Sequence, residues 1–217
     1  MLKVRRMPFI TYLIIAANII MFLVMTFAGG TENTAVLLKF GAKYNPLIIQ
    51  GQWWRLITPM FIHIGLEHIV VNMVTLYFIG IDVERFFGHL RFAIIYLISG
   101  IMGNIASFAF NPNVVSAGAS TAIFGLFGAF LMLGISFRDN PYISALARQF
   151  LLFVILNLAF SFTGGVDLFG HLGGLVGGFL AAMVVGAPRI GKNNFSWSLI
   201  SGVVLAALAF MCLMMGY

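Results

Sequence analysis

The chain has 217 residues, of which 61% are hydrophobic and 8% charged, against about 25% charged in an ordinary soluble domain. With a mean hydropathy of +1.05, this composition excludes a soluble globular protein and requires apolar segments along nearly the whole length, each able to cross about 30 Å of hydrocarbon. The formal charge of +6 comes with no basic patch interleaved with aromatics, so nucleic acid is not an expected partner and the basic residues are read as markers of orientation.

The first apolar run, 9–28, follows Lys3, Arg5 and Arg6 and lacks an A-x-A-like cleavage site, so it reads as a retained span and not as a removed signal peptide. Further runs at 66–83, 90–110, 120–137, 144–162, 168–187 and 196–215 bring the expected spans to seven. All should be helices, because strands of a membrane barrel show alternating hydropathy over about 10 residues and these runs are continuous and longer. The expected fold class is an all-α polytopic membrane protein, with no room for a separate domain outside the lipid bilayer. The connector 30–65 carries Tyr44, Trp53, Trp54 and Phe61 and reads as a partly embedded interfacial element. The single cysteine, Cys212, lies in an apolar run and excludes an internal disulfide.

With the N-terminus in the cytoplasm, Lys3, Arg5, Arg6, Arg85, Arg91, Arg138, Arg148, Arg189 and Lys192 fall on the inner side and only Lys39, Lys43 and Arg55 on the outer. The positive-inside rule then favours an inner N-terminus and an outer C-terminus.

Polar side chains within spans are costly and mark candidate functional positions. In the second span His68 and Asn72 lie four residues apart, on one helix face, with His63 just upstream. The fourth run opens at Ser120, after Ser116-Ala117-Gly118-Ala119. In the sixth, His171 follows Asp167 and heads a ladder of Gly170, Gly173, Gly174, Gly177 and Gly178. Spans two, four and six all run the same way, so His68, Ser120 and His171 share a depth near the outer end. The glycine ladder lets the sixth helix approach a neighbour closely, with Gly125 and Ala129 as a matching face on the fourth. Such an approach brings His171 within reach of Ser120 Oγ, the geometry that activates a serine nucleophile. Each residue also has an ordinary explanation: a serine at a helix start caps it, and interior His and Asn bond to neighbouring helices. His63, His68 and His171 could also serve a metal, but His63 and His68 are five apart without the H-E-x-x-H pattern, so no metal site is expected. A transporter would need polar residues reaching both halves of the membrane and internal repeats, and neither is evident.

Trp54-Arg55, His63, His68-x-x-x-Asn72, Gly118-Ala119-Ser120 and His171-Leu172-Gly173-Gly174-Leu175 with Gly178, in that order over about 53–180, resemble the rhomboid family of intramembrane serine proteases. The resemblance implies a rhomboid-like six-helix bundle, core about 9–187, plus a seventh span at about 196–215, in one membrane domain over 1–217. It makes Ser120 the nucleophile and His171 the general base of a dyad, with the Ser120 N–H, His68 and Asn72 forming the oxyanion hole. Gly118 would keep the approach to the scissile carbonyl open, and Phe124 would stack on the imidazole. The implied substrates are membrane proteins whose transmembrane helices enter sideways, between the second and fifth spans, and are cut at small residues without metal or organic cofactor. The lack of an amphipathic Arg/Ser-rich transit segment favours a bacterial plasma membrane over an organelle, with the site near the outer face, and Thr163, Gly164 and Gly165 give the connector above it freedom to act as a cap.

One position departs from the family motif G-x-S-G: Thr121 stands where the final glycine is expected. A β-branched residue there is expected to crowd the helix start or narrow the cleft, while its hydroxyl can bond to backbone. An active, altered protease is expected; the alternative is a catalytically inactive rhomboid-like binder of client transmembrane helices. Asp167 invites assignment as a third triad member, but the resemblance implies a dyad, and the carboxylate reads as solvated at a span boundary. Oligomeric state is not legible.

Overall fold

Hydrocarbon offers backbone N–H and C=O groups no partner, so each apolar run closes its own hydrogen bonds as a helix. The computed structural model describes residues 7–161, 166–191 and 194–217. Among these, α1 (Phe9–Phe27) leads into a connector with two short helices, α2 (Thr34–Phe40) and α3 (Asn45–Ile49), and 3₁₀ turns at Trp53–Leu56 and Thr58–Phe61. Then come α4 (Gly65–Phe87), α5 (His89–Phe110), α6 (Ser120–Ser136), α7 (Pro141–Ser161), α8 (Leu168–Val185) and α9 (Phe195–Gly216). Lys3, Arg5, Arg6 and Lys192, used for the orientation, and Thr163, Gly164 and Gly165 of the expected cap lie outside the described residues.

Six of these helices are long and apolar enough to cross a membrane, and the protein is an integral membrane protein. The seventh apolar helix, α6, has 17 residues. At about 1.5 Å per residue it spans roughly 25 Å, short of about 30 Å of hydrocarbon. Part of that crossing falls to the non-helical segment 111–119, much of which lines a cavity, the setting in which irregular backbone is tolerated at membrane depth.

The centre of the bundle is α5, α6 and α8, packed backbone to backbone. A Cβ added to Gly178 would run into the backbone of Gly125, one on Gly174 into Thr121 O, and one on Gly128 into Leu175 O. The strip of α6 facing the ladder is thus Thr121, Gly125 and Gly128, with Gly128 in the place expected of Ala129. On the other side of α8, Gly173 and Gly177 meet Met102 and Ala106 of α5. α4 and α1 pack beside this core, α7 lies on α6, and α9 on α5 and α8.

At the end of the bundle away from Ser120, one carboxylate joins several elements. Glu84 is buried and accepts from the N–H groups of Ile10 (3.1 Å) and Thr11 (2.8 Å), from Thr11 Oγ1 (2.6 Å) and bonds to His89 Nδ1 (2.5 Å). It thereby satisfies the orphan donors at the start of α1. For that reason α4 continues to Phe87, past the end expected at 83. α7 likewise begins earlier than expected, because Asn140 Oδ1 accepts from Tyr142 N (3.1 Å) and Ile143 N (3.3 Å) as a cap.

The connector before α4 is folded onto the bundle. Lys43 is fully buried; its backbone pairs with Ser116 and its Nζ donates to Asn111 O (2.6 Å) and Val114 O (3.5 Å). Burial lowers its ammonium to about 8, with the charge of Asp167 pulling the other way. Arg55 is also buried, bonding to Gln52 Oε1 (2.8 Å) and Ala42 O (2.9 Å). These two charges hold the connector's backbone. They are not the free surface markers that the charge count treats them as. Trp53 and Trp54 remain exposed.

Candidate active site

Ser120 is the first residue of α6. The preceding residue Ala119 holds the cap position without a side-chain cap bond, so the amides of the first turn, Ser120 N–H among them, lie where no i−4 carbonyl exists. The approach to this turn is fixed by two bonds: Gly118 N donates to Pro59 O (2.9 Å) and Ala119 N to His63 Nε2 (3.3 Å). The Ser120 hydroxyl does not cap its helix. Its Oγ lies 2.9 Å from His171 Nε2, close enough for the imidazole to take the hydroxyl proton. The His171 ring stacks on Phe124, centroids 4.1 Å apart and planes 13° from parallel, which limits its rotation.

His68 faces the same gap from α4. Its Nδ1 accepts from Ile64 N (3.3 Å), so in the neutral ring the proton is on Nε2. That nitrogen is directed at Gly118: a Cβ built there would lie 2.7 Å from His68 Cε1, 2.8 Å from Nε2 and 3.5 Å from Ser120 Oγ. Gly118 has φ +137°, a conformation L side chains avoid. Its bare Cα therefore leaves open a space bounded by an imidazole N–H donor and the serine hydroxyl. Asn72, one turn further along α4 and buried, donates one Nδ2 hydrogen to His68 O (2.8 Å) and lines the same cavity of about 740 Å³. Ser120, His171, His68, Asn72, Gly118 and Phe124 are all brought together.

His63 stands behind this group, fully buried, its ring 5.2 Å from that of His68. Burial, reinforced by His68, lowers it to about 3. It is neutral, and Nε2 is free to accept the Ala119 amide. One nitrogen of each ring is engaged: His63 Nε2 with Ala119, His68 Nδ1 with Ile64, and His171 Nε2 with Ser120.

Thr121 is among the residues lining the cavity, and it also packs between helices. Its Cβ would lie 2.6 Å from a Cβ at Gly103, and its Cγ2 3.2 Å from one at Gly170, so the side chain fills a notch left by two glycines on α5 and α8. Its hydroxyl makes no backbone bond: it is buried and unpartnered among the described residues.

Asp167 is not simply solvated. Its carboxylate caps α8 through Gly170 N (3.1 Å), accepts from Asn111 Nδ2 (3.2 Å), and accepts a short bond from Ser107 Oγ. Ser107, Asn111 and Asn104, whose Nδ2 donates to Leu56 O (2.9 Å), were not singled out by the sequence argument. Asn104 and Ser107, three apart, share a face of α5 and Asn111 caps its end, and these polar residues at a span end were the available signal.

Comparison with known proteins agrees with this architecture. The family model described as the Rhomboid domain matches residues 50–188. Rhomboid protease GluP of Bacillus subtilis is 47% identical over 203 residues, covering 93% of this chain and 39% of that protein. RHOMBOID-like protein 6, mitochondrial, of Arabidopsis thaliana is 39% identical over 173 residues, 78% of this chain and 55% of that protein. Putative rhomboid protease YdcA of B. subtilis is 36% identical over 143 residues, 65% of this chain and 71% of that protein. The chain thus spans roughly two-fifths to just over half the length of the first two. On the domain match and these identities, the chain belongs to the rhomboid family.

Proposed function

We propose that this protein is an intramembrane serine endopeptidase that hydrolyses peptide bonds in or near transmembrane segments of other membrane proteins. The observation that carries the proposal is the 2.9 Å contact between Ser120 Oγ and His171 Nε2 at the start of a helix. His171 Nε2 takes the hydroxyl proton as Oγ attacks the scissile carbonyl carbon, and the carbonyl oxygen becomes an oxyanion. The Ser120 N–H, His68 Nε2–H and the second Asn72 Nδ2–H are its donors, each worth about 3 kcal/mol in the transition state. The imidazolium then gives its proton to the departing amine, and a water, deprotonated by the same ring, hydrolyses the acyl-enzyme.

The substrate is a transmembrane helix that must unwind locally, since a peptide locked in helical hydrogen bonds cannot present its carbonyl. No cofactor enters this scheme. The N-terminus lies in the cytoplasm and the dyad near the outer face of a bacterial plasma membrane, in a single domain over 1–217. Homology to proteins named as proteases supports the catalytic reading over that of an inactive client binder.

The test is to reconstitute wild type, Ser120→Ala and His171→Ala in lipid vesicles with a single-span substrate bearing small residues at its outer boundary. Cleavage by wild type and by neither variant is expected. Binding without cleavage by all three would replace this reading with the binder.

A further inference from the structure

The glycine contacts between α6 and α8 set how closely the two helices approach, but bare backbone surfaces resist sliding and rotation poorly. His171 must nonetheless meet Ser120 within a few tenths of an ångström, and something has to fix α8 along its own axis. The far end of α8 accepts from Arg91 Nε at Val185 O (2.9 Å) and from Ser198 Oγ at Met183 O (2.8 Å), but the turn that carries His171 is tied to α5 through its own cap. Asp167 caps it through Gly170 N (3.1 Å) and binds the C-terminal end of α5 twice, through Ser107 Oγ and Asn111 Nδ2 (3.2 Å). Phe110 and Phe169 stack across the same junction at 5.3 Å. The α5 end is itself held, because the buried Lys43 ammonium bonds to Asn111 O (2.6 Å). His171 lies one turn beyond Asp167, its N–H bonded to Asp167 O (3.0 Å), and so inherits the position of that turn.

We propose that Asp167 is a positioning residue for the Ser120–His171 pair: by pinning the first turn of α8 to α5, it sets where His171 Nε2 stands relative to Ser120 Oγ. The inference rests on the dyad reading above. It differs from a triad, because the carboxylate acts through the helix and not through the imidazole.

Asp167→Asn keeps an acceptor for Gly170 N and one bond to α5; Asp167→Ala removes all three bonds. A displacement near 1 Å at a reacting pair costs up to about 100-fold in rate. The full chain in lipid vesicles is assayed with the single-span substrate and with a fluorophosphonate probe, which an activated serine attacks at phosphorus with loss of fluoride. Expected are a kcat lower by about 30- to 100-fold for Asp167→Ala with KM unchanged, and a smaller loss of about 3- to 10-fold for Asp167→Asn. Probe reaction should slow in proportion, with the thermal midpoint of Asp167→Asn close to wild type. Ser107→Ala should lower kcat alone but add little to Asp167→Ala, since both remove the same bond.

If Asp167→Ala, or Asp167→Asn where alanine does not fold, keeps kcat within twofold while His171→Ala is inert, the positioning role is overturned and the dyad stands. A loss of activity that only follows the folded fraction, or a rise in KM alone, also overturns it. Wild-type cleavage retained in His171→Ala would overturn the dyad and the inference with it.

Discussion

Thr121 on α6 fills the notch left by Gly103 on α5, its Cβ 2.6 Å from where a Cβ at position 103 would stand. The methyl is welcome there and the hydroxyl is not, for Oγ1 is buried without a partner among the described residues. Thr121→Val keeps the shape and removes the unsatisfied group, so it should stabilise by about 1 kcal/mol and leave probe reactivity unchanged. A higher thermal midpoint at equal rate is the expected result. Gly103→Ala should overpack the notch at about 1–3 kcal/mol. Thr121→Gly should restore only part of that, since Gly170 O also lies 2.5 Å from the added Cβ.

Gly118→Ala should abolish turnover while the protein still folds. The new methyl would sit 2.7 Å from His68 Cε1 in a backbone with φ +137°, occupying the space proposed for the oxyanion. Loss of at least about 100-fold in kcat, the order of removing an oxyanion donor, is the expected reading in a cleavage assay. Combining it with His68→Ala should relieve the clash without recovering the rate.

Two glycines in neighbouring helices should respond to alanine in opposite ways. Gly178→Ala forces a methyl into the Gly125 backbone and should separate α8 from α6, lowering both thermal midpoint and activity. Gly202 in α9 has Val184 Cγ2 at 3.6 Å as the nearest atom, so alanine fits and should gain up to about 1 kcal/mol of helix propensity. Thermal unfolding in mild detergent distinguishes the two.

His63 makes acid destabilising. It stays neutral in the folded protein down to about 3 but is protonated in the unfolded chain below 6.5. The unfolded state therefore binds more protons in that window, and stability falls with falling pH by up to about 1.4 kcal/mol per unit. His63→Gln, which does not titrate and can still accept the Ala119 amide, should flatten the decline between pH 6.5 and 4. Parallel midpoint curves for the two proteins would show that other groups carry it.

The helices were legible because each apolar run is continuous, and an end was legible where it coincides with the end of that run; the start of α7 at Pro141, three residues before its apolar run, was missed although its cap Asn140 is local. The first run was read as 9–28 and α1 covers Phe9–Phe27. Where an end depends on a distant partner, it was not: Glu84 resembled a helix terminus because its partners Ile10 and Thr11 lie more than 70 residues away. The same holds at the site. His68 and Asn72 announce themselves by a four-residue spacing, whereas the partners of Asp167, Ser107 and Asn111, are 60 and 56 residues distant, so its carboxylate read as solvated. Lys43 read as an outer charge for the same reason, since the carbonyls that hold it, Asn111 and Val114, belong to another connector.

The meeting of α6 and α8 at Gly125 and Gly178 means that the spacing between the helices that carry serine and histidine is machined from main chain. Side chains relax by changing rotamer, and a contact made through them drifts with temperature, hydration and neighbouring lipid. Peptide planes in direct contact have no such slack. A tilt of α1 or α9 in a thinner or thicker bilayer therefore leaves the spacing of α6 and α8 to their main chains, while the place of α8 along its axis falls to the cap at Asp167.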